Sequence, residues 1–449
     1  MSAKVRFAER LKRALAIIGP GIFAIGYTIG TGSVTSMAKA GADYGLGLLW
    51  VLALSCIFSG ILMSAYGRFA AVTGETTLHG IIRYLPCGRV IAALVFIGVV
   101  TGQYTCLGGI MILTAGAFRE AFGLPFGEFP IACAIMAVIY ALMMVGRYAF
   151  FERLLAFFVA VMAGTFALSV FATWPDAATV VRAAAPVLPG DASSLLMLAA
   201  FVGTTMAAPT FVTRPLIIRE KGLGEKDVGR EQFDAAVSAT LMFAVSGAVM
   251  AVAAWTLWTK GGSITSVLDM AETLRPLMGR FAVVLFMCGT LAAGLSSVFP
   301  IMMVAPLLVG DWRDGRMRTD TPVFRLICLA AAAWGLVVPA VGSNPVSVTI
   351  LAQISNVFVL PLTVGVVLLL VNRRDVMGRF RAGPILNVAL AAAFAFSAVI
   401  AYVGAKTLMA RFSQAEGDRP RQALEKPGPV PGLNAPIDPA DWRKKHKPK

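Results

Sequence analysis

Residues able to hold a ligand gather at two places in this chain, and both interrupt long apolar stretches. The first is Thr28-Ile29-Gly30-Thr31-Gly32-Ser33-Val34-Thr35, preceded by Gly19-Pro20-Gly21. The second is Gly203-Thr204-Thr205-Met206-Ala207-Ala208-Pro209-Thr210. Glycine and proline weaken a helix, and small hydroxyl side chains offer the freed backbone groups other partners. Backbone freed at membrane depth cannot face lipid and has to line a protein-enclosed cavity. The chemistry on offer is coordination by neutral oxygens: carbonyls together with the hydroxyls of Thr31, Ser33 and Thr204. The dipole ends of the flanking half-helices add to it, so an ion can be held with few charged side chains. A run of small residues is also what two helices need to approach closely. Two such runs in corresponding positions point instead to a substrate site of the secondary-transporter kind.

Such breaks need long helices around them. The chain has 449 residues, of which 58% are hydrophobic and 14% charged, the balance of a polytopic membrane protein. Apolar runs of ~20 residues or more select helices over the ~10-residue alternating strands of a membrane barrel. About eleven spans are expected. They lie near 14–40, 46–72, 88–115, 130–147, 150–173, 194–219, 232–258, 279–309, 322–342, 347–371 and 385–409. The interrupted spans are the first and the sixth, a spacing that fits two inverted five-helix repeats, 14–173 and 194–371, with an accessory eleventh helix at 385–409. Residues 1–13 form a short N-terminus, and the Pro- and charge-rich 410–449 read as a disordered basic tail.

The formal net charge of +15 does not mean a nucleic-acid partner, because Lys and Arg sit in short connections beside the spans. Arg68, Arg83 and Arg89 follow the second span, Arg219, Lys221, Lys226 and Arg230 the sixth; Arg313, Arg316 and Arg318 precede the ninth, and Arg373, Arg374, Arg379 and Arg381 the eleventh. This asymmetry puts the N-terminus in the cytoplasm, in what is expected to be a bacterial inner membrane. The lipid bilayer is the partner expected, with no obligate protein partner evident. The six cysteines, Cys106 among them, are scattered mostly within apolar runs and read as packing residues, not as disulfides or metal ligands. With only His79 and His446, no Ser/His/Asp set and no phosphate-binding loop, neither an enzyme nor a cofactor is implied.

Further residues carry a resemblance. Gly19-Pro20-Gly21, the Gly-rich break, Ala40-Gly41-Ala42-Asp43-Tyr44-Gly45 and Leu48-Leu49-Trp50-Val51-Leu52 are similar to the first two spans of the Nramp (natural resistance-associated macrophage protein) divalent-metal transporters. Val72-Thr73-Gly74, Phe122-Gly123-Leu124-Pro125, Leu291-Ala292-Ala293-Gly294-Leu295-Ser296-Ser297, Gln353 with Pro361 eight residues on, and Asn372 to Gly378 continue the pattern in order. The resemblance runs from about Gly19 to Met377 and implies the LeuT-type fold. It also implies site residues. The family's Asp-Pro-Gly-Asn aligns with Gly30-Thr31-Gly32-Ser33, and its Met-Pro-His with Ala207-Ala208-Pro209. The acidic pair of the third span falls on Gln103 and Cys106, while Gln353 is retained beside Asn356. This is a divergent branch, without the metal-binding Asp and Met.

The departures have physical consequences. Without a carboxylate, stripping a divalent ion of water is costly; without the thioether, preference for soft ions is lost. Substrate-binding candidates are therefore Gly30, Thr31, Ser33, Thr204, Ala207, Gln353 and Asn356, with Ser33, Thr204 and Gln353 as metal ligands for a partly hydrated ion of the Mg²⁺ or Mn²⁺ class. Ser296 and Ser297 are a possible second ion site. Gln103, Cys106 and Pro209 cannot relay protons at neutral pH, so proton coupling is expected to be lost. Arg214, about one turn beyond Pro209, is expected to reach for the interface; pointed into the cavity instead it would repel a cation, and Glu152 and Asp234 are its candidate partners. The leading reading is a secondary transporter of inorganic cations working by alternating access. The alternatives are a LeuT-fold carrier of a small organic solute, with Na⁺ coupling as an option, and a non-transporting membrane scaffold or sensor.

Overall fold

The structure, a computed structural model, describes residues 28–144, 148–173, 192–258, 264, 280–316, 319, 321–342 and 344–417. The expected N-terminus, the first half of span one with Gly19-Pro20-Gly21, and the tail beyond 417 lie outside the described residues. Among those described, the chain is helical with no strand. Helix α1 is Thr31–Tyr44, α2 Leu49–Thr73, α3 Thr77–Tyr84, α4 Gly88–Phe122, α5 Glu128–Met144 and α6 Tyr148–Thr173. Then come α7 Ala192–Thr205, α8 Ala208–Glu220, α9 Val228–Thr256 and α10 Arg280–Asp314. The chain ends through α11 Pro322–Gly335, α12 Val337–Val341, α13 Pro345–Val357, α14 Leu360–Asn372, α15 Arg374–Met377 and α16 Pro384–Gly417. Eight of the described helical segments are long and apolar enough to cross a membrane, and 128–144 and 156–168 form shorter apolar helices.

Local sequence explains several boundaries. Thr321 and Asn344 each accept a backbone N–H from three residues on, at 3.1 and 3.0 Å, and each is followed by proline at the first helical position. That pairing satisfies one orphan donor and uses a residue that has none to lose. Span ten, expected to be continuous, is divided into α13 and α14 at Phe358–Val359, just before Pro361, which lacks the N–H a continuous ladder would use. Span nine likewise turns at Leu336. Helix α16 runs through Gly417, past the expected end at 409.

The long helices build an apolar bundle. Helix α9 lies on α1 and α2, α10 on α4 and α6, and α13 bridges α4 and α7. Ile385, Val388 and Tyr402 of α16 are exposed by 86, 71 and 67%, the outward apolar face a bilayer covers. The two expected breaks are both present in α-helical terms: Ile29–Gly30 precedes α1, and Met206–Ala207 separates α7 from α8. The first lies slightly upstream of the expected Gly30–Ser33, so Thr31 and Ser33 belong to the first turn of α1.

Candidate functional site

The two breaks meet. Thr28, Gly30, Gly32 and Ser33 from the first, and Thr204 and Ala207 from the second, line one cavity whose remaining wall comes from α4, α10 and α13. Its volume is about 20 Å³, room for one water or one bare ion. Freed backbone at the second break is answered from α2, where Ser59 donates its hydroxyl to the Thr205 carbonyl at 3.1 Å. Ala207 is the N-cap of α8, and its methyl group offers no ligand atom.

The far wall is an amide–thiol network. Gln103 on α4 donates through Nε2 to Asn356 Oδ1 on α13 at 2.7 Å. Asn356 Nδ2 in turn donates to Cys106 Sγ at 3.2 Å and lies 3.5 Å from Gln353 Oε1. The Cys106 thiol has the Ala352 carbonyl at 3.2 Å and Gln353 Oε1 at 3.7 Å as acceptors. Sequence reasoning treated Gln103 and Cys106 as lost proton carriers; the fold puts both on the cavity wall with Gln353 and Asn356. By contrast the hydroxyls of Ser33 and Thr204, 2 and 4% exposed, form no hydrogen bond among the described residues and face the cavity.

Three predicted residues are placed differently. Thr31 is fully buried outside the cavity lining, its hydroxyl without a hydrogen-bond partner among the described residues. Ser296 and Ser297 on α10 are buried as well but do not line the cavity, and Ser296 donates to Ala293 O of its own helix at 3.0 Å. Ser297 abuts the first break. A Cβ built on Gly30 would meet Ser297 Oγ at 2.1 Å and Cβ at 2.7 Å. Gly203 is as constrained, since a Cβ there would meet the Gln353 carbonyl oxygen at 2.2 Å. These close approaches set α1 against α10 and α7 against α13, because both spaces are already filled.

Arg214 does not reach for the interface. It is 1% exposed, and its Nη2 lies 2.6 Å from Asp234 Oδ2 and 3.0 Å from Glu231 Oε2, both on the first turns of α9. Sequence reasoning named Asp234 and missed Glu231, although a carboxylate three residues before another shares its helix face. The side chain of Glu152 lies outside the described residues. Arg214 is absent from the cavity lining, so its charge is neutralised away from the site. Asp311, at the end of α10, was also missed. It accepts from the Thr76 hydroxyl and from the N–H groups of Leu78 at 3.0 Å and His79 at 3.3 Å, fastening the start of α3. Among the described residues no three of His, Cys, Asp and Glu cluster as a metal centre would need.

A sequence model described as "Natural resistance-associated macrophage protein-like" matches residues 21–405. The chain belongs to the Nramp family. Among its relatives is the divalent metal cation transporter MntH of Bradyrhizobium diazoefficiens, 25% identical over 68% of this chain and 70% of that one. Another is MntH of Mycobacterium tuberculosis (strain H37Rv), 24% identical over 82% and 86%. The solved structure of the Eremococcus coleocola manganese transporter with an aromatic bis-isothiourea compound superposes with a TM-score of 0.73 at 15% identity, covering 92% of this chain and 90% of the other. Mhp1, a nucleobase-cation-symport-1 family transporter in a closed conformation, gives 0.56 at 14% identity, over 96% and 95%. The fold is therefore the LeuT type, two inverted five-helix repeats with an eleventh helix, and this Nramp protein is a multi-pass membrane transporter, not an enzyme.

Proposed function

We propose that this Nramp protein moves an inorganic divalent cation of the Mg²⁺ or Mn²⁺ class by alternating access, without a proton gradient as driving force. The observation that carries the reading is the convergence of both broken spans on one buried cavity walled by neutral oxygens: Ser33, Thr204, Gln353 and Asn356. The activities of its relatives, divalent metal and manganese transport, support the substrate class. No carboxylate or imidazole lines the cavity among the described residues, so ion binding there has no acid–base group to exchange a proton with at neutral pH. The membrane potential is a sufficient force for a cation, ~2.3 kcal/mol per charge for each ~100 mV. Contacts among Glu75, Arg83 and Arg219, and of Arg373 with the Tyr84 carbonyl, gather several Arg-rich span ends at one face. That supports a cytoplasmic face there and hence a cytoplasmic N-terminus in a bacterial inner membrane.

A second reading, a small organic solute with Na⁺ beside Ser297, is favoured by the contact of Gly30 with Ser297 and opposed by a cavity of only about 20 Å³. The test is uptake into proteoliposomes of Mg²⁺, Mn²⁺, Ca²⁺ and amino acids, with an internal pH dye and clamped membrane potential. Saturable Mg²⁺ or Mn²⁺ uptake without acidification is the result expected. Substrate-dependent acidification at clamped potential overturns the uncoupled mechanism. Amino-acid uptake that requires Na⁺ favours the second reading, and no uptake of any solute favours a scaffold or sensor.

A further inference from the structure

Helix α1 leads away from the cavity, and twelve of its fourteen residues are buried. The two that are not are Lys39 and Asp43, an ion pair at 2.9 Å whose side chains are 14 and 7% exposed. At ~100° per residue, Gly32, Ser36, Lys39 and Asp43 fall within ~60° of one another around the helix. Gly32 lines the cavity, so the pair stands beyond it on the same strip of α1. Ser36, between them, is fully buried, and its hydroxyl has no hydrogen-bond partner among the described residues. A polar group left in that state at membrane depth is costly and marks the place of a missing partner. The strip ends at Gly45, where a Cβ would meet the Trp258 ring at 3.1 Å. That is the opposite end of α2 from Glu75, Arg83 and Arg219. Helix stability does not account for the pair. Asp43 sits in the last turn of α1, where the helix dipole disfavours an anion, and Lys before Asp is the weaker order for an i,i+4 pair.

We propose that Asp43 is an outer docking site for a divalent cation on its way to the cavity, and that Lys39 occupies this carboxylate until such an ion displaces its ammonium. This rests on the reading of the cavity as a cation site and adds a selection step ahead of it. A carboxylate is the hard oxygen donor that Mg²⁺ and Mn²⁺ take, and the cavity has none among the described residues that line it. A monovalent ion gains little at Asp43. It would replace one unit charge by another, and the ammonium it displaces is tethered one turn away at high effective concentration. A divalent ion brings twice the attraction to the same carboxylate and offsets the anion at the negative end of α1. From Asp43 the next oxygen along the strip is the Ser36 hydroxyl, and beyond it lies Gly32 at the cavity.

The experiment measures Mn²⁺ uptake by the full-length protein in proteoliposomes and, separately, Mn²⁺ binding by the purified protein from the loss of the free-ion electron paramagnetic resonance signal. Asp43→Asn is expected to raise KM by ~10-fold, the low end of what a charged approach contributes to an on-rate, with kcat little changed. Asp43→Glu should restore the wild-type KM. Lys39→Gln, which keeps the carboxylate and removes its competitor, is expected to lower KM, and it carries the test should Asp43→Asn fail to fold. These differences should fade as the screening length falls from ~30 Å at ~0.01 M salt to ~3 Å at ~1 M. In the binding titration Lys39→Gln should hold one more Mn²⁺ than the Lys39→Gln, Asp43→Asn double variant. A KM that rises in both single variants, as loss of a purely structural pair would cause, overturns the proposal, and so do equal Mn²⁺ counts in the titration. The two readings fail separately: uptake with a KM indifferent to Lys39 and Asp43 sinks this inference alone, and Asp43-dependent binding without uptake sinks the transport reading alone.

Discussion

Gly30→Asp places a carboxylate where the resemblance to Nramp transporters implies one, and tests whether the site has room to hold it. Backbone geometry permits the change, because Gly30 has φ −95° and ψ −176°, extended values any residue adopts. Gly30 is also the N-cap of α1, where Asp is favoured over Gly by only a few tenths of a kcal/mol, plus ~0.3–1 kcal/mol from the helix dipole. Against this stands space. The new Cβ would lie 2.1 Å from Ser297 Oγ and 2.7 Å from Ser297 Cβ, both far inside contact distance. Rotation of Ser297 moves its Oγ but not its Cβ, so α1 and α10 have to separate, and overpacking of that kind costs ~1–3 kcal/mol. The steric term outweighs the capping term, and Gly30→Asp is expected to destabilise. Ser297→Ala removes only the nearer atom and should restore part of the loss; Ser297→Gly removes both and should restore most of it. Thermal unfolding in detergent therefore ranks Gly30→Asp below its Ser297→Ala double mutant, and that below the Ser297→Gly double mutant. Only the last is expected to gain Mn²⁺ affinity in a binding titration, because only there can the carboxylate be held without strain. Equal stability of Gly30→Asp and wild type, with no further effect of Ser297→Gly, would refute the steric account.

Two further outcomes follow from burial. Arg214→Met leaves Glu231 and Asp234 without their guanidinium and is expected to cost ~3–5 kcal/mol, read as a large fall in thermal stability; adding Asp234→Asn should recover part of it. Gly203→Ala sets a methyl 2.2 Å from the Gln353 carbonyl, a backbone atom that cannot turn away, so reconstituted uptake should fall further than protein stability does. Uptake equal to wild type would show that α7 and α13 can separate without disturbing the cavity.

How much of this was legible beforehand depended on the range of the interaction. The breaks in spans one and six were readable because Gly and Pro act on the backbone locally, and the Ile29–Gly30 and Met206–Ala207 interruptions sit at or beside the residues that signalled them. The division of span ten was not, because hydropathy runs across Phe358-Val359-Leu360-Pro361 and a lone proline does not by itself break a span, as Pro300 and Pro306 inside the continuous α10 show. Facing was harder still. Thr31 and Ser33 are both hydroxyls two residues apart, yet that spacing turns them ~200° around a helix, and only Ser33 lines the cavity. Gln103 and Cys106 were visible as polar positions in span three, but their meeting with Gln353 and Asn356 across some 250 residues is set by how α4 and α13 cross. Glu231 escaped for the same reason, since nothing near it in sequence announces Arg214.

The geometry of the wall explains how a cavity at this depth can stand without a charged side chain among the described residues that line it. A lone carboxylate in this cavity would need a cation or a proton whenever the site is empty. The amides instead satisfy one another: Gln103 bonds Asn356, Asn356 bonds Cys106, and Cys106 has carbonyl acceptors on α13. The empty state is thereby stabilised, and an arriving ion has to break bonds worth ~0.5–1.5 kcal/mol each. It also finds no full charge to offset its dehydration. Both effects weaken oxygen-only binding, by about tenfold for every ~1.4 kcal/mol. A cavity of this kind suits an ion met at high concentration and released readily. The same amide bonds hold the Cys106 sulfur in place, 3.2 Å from both Asn356 Nδ2 and the Ala352 carbonyl, so whatever enters the cavity meets a wall already paired with itself.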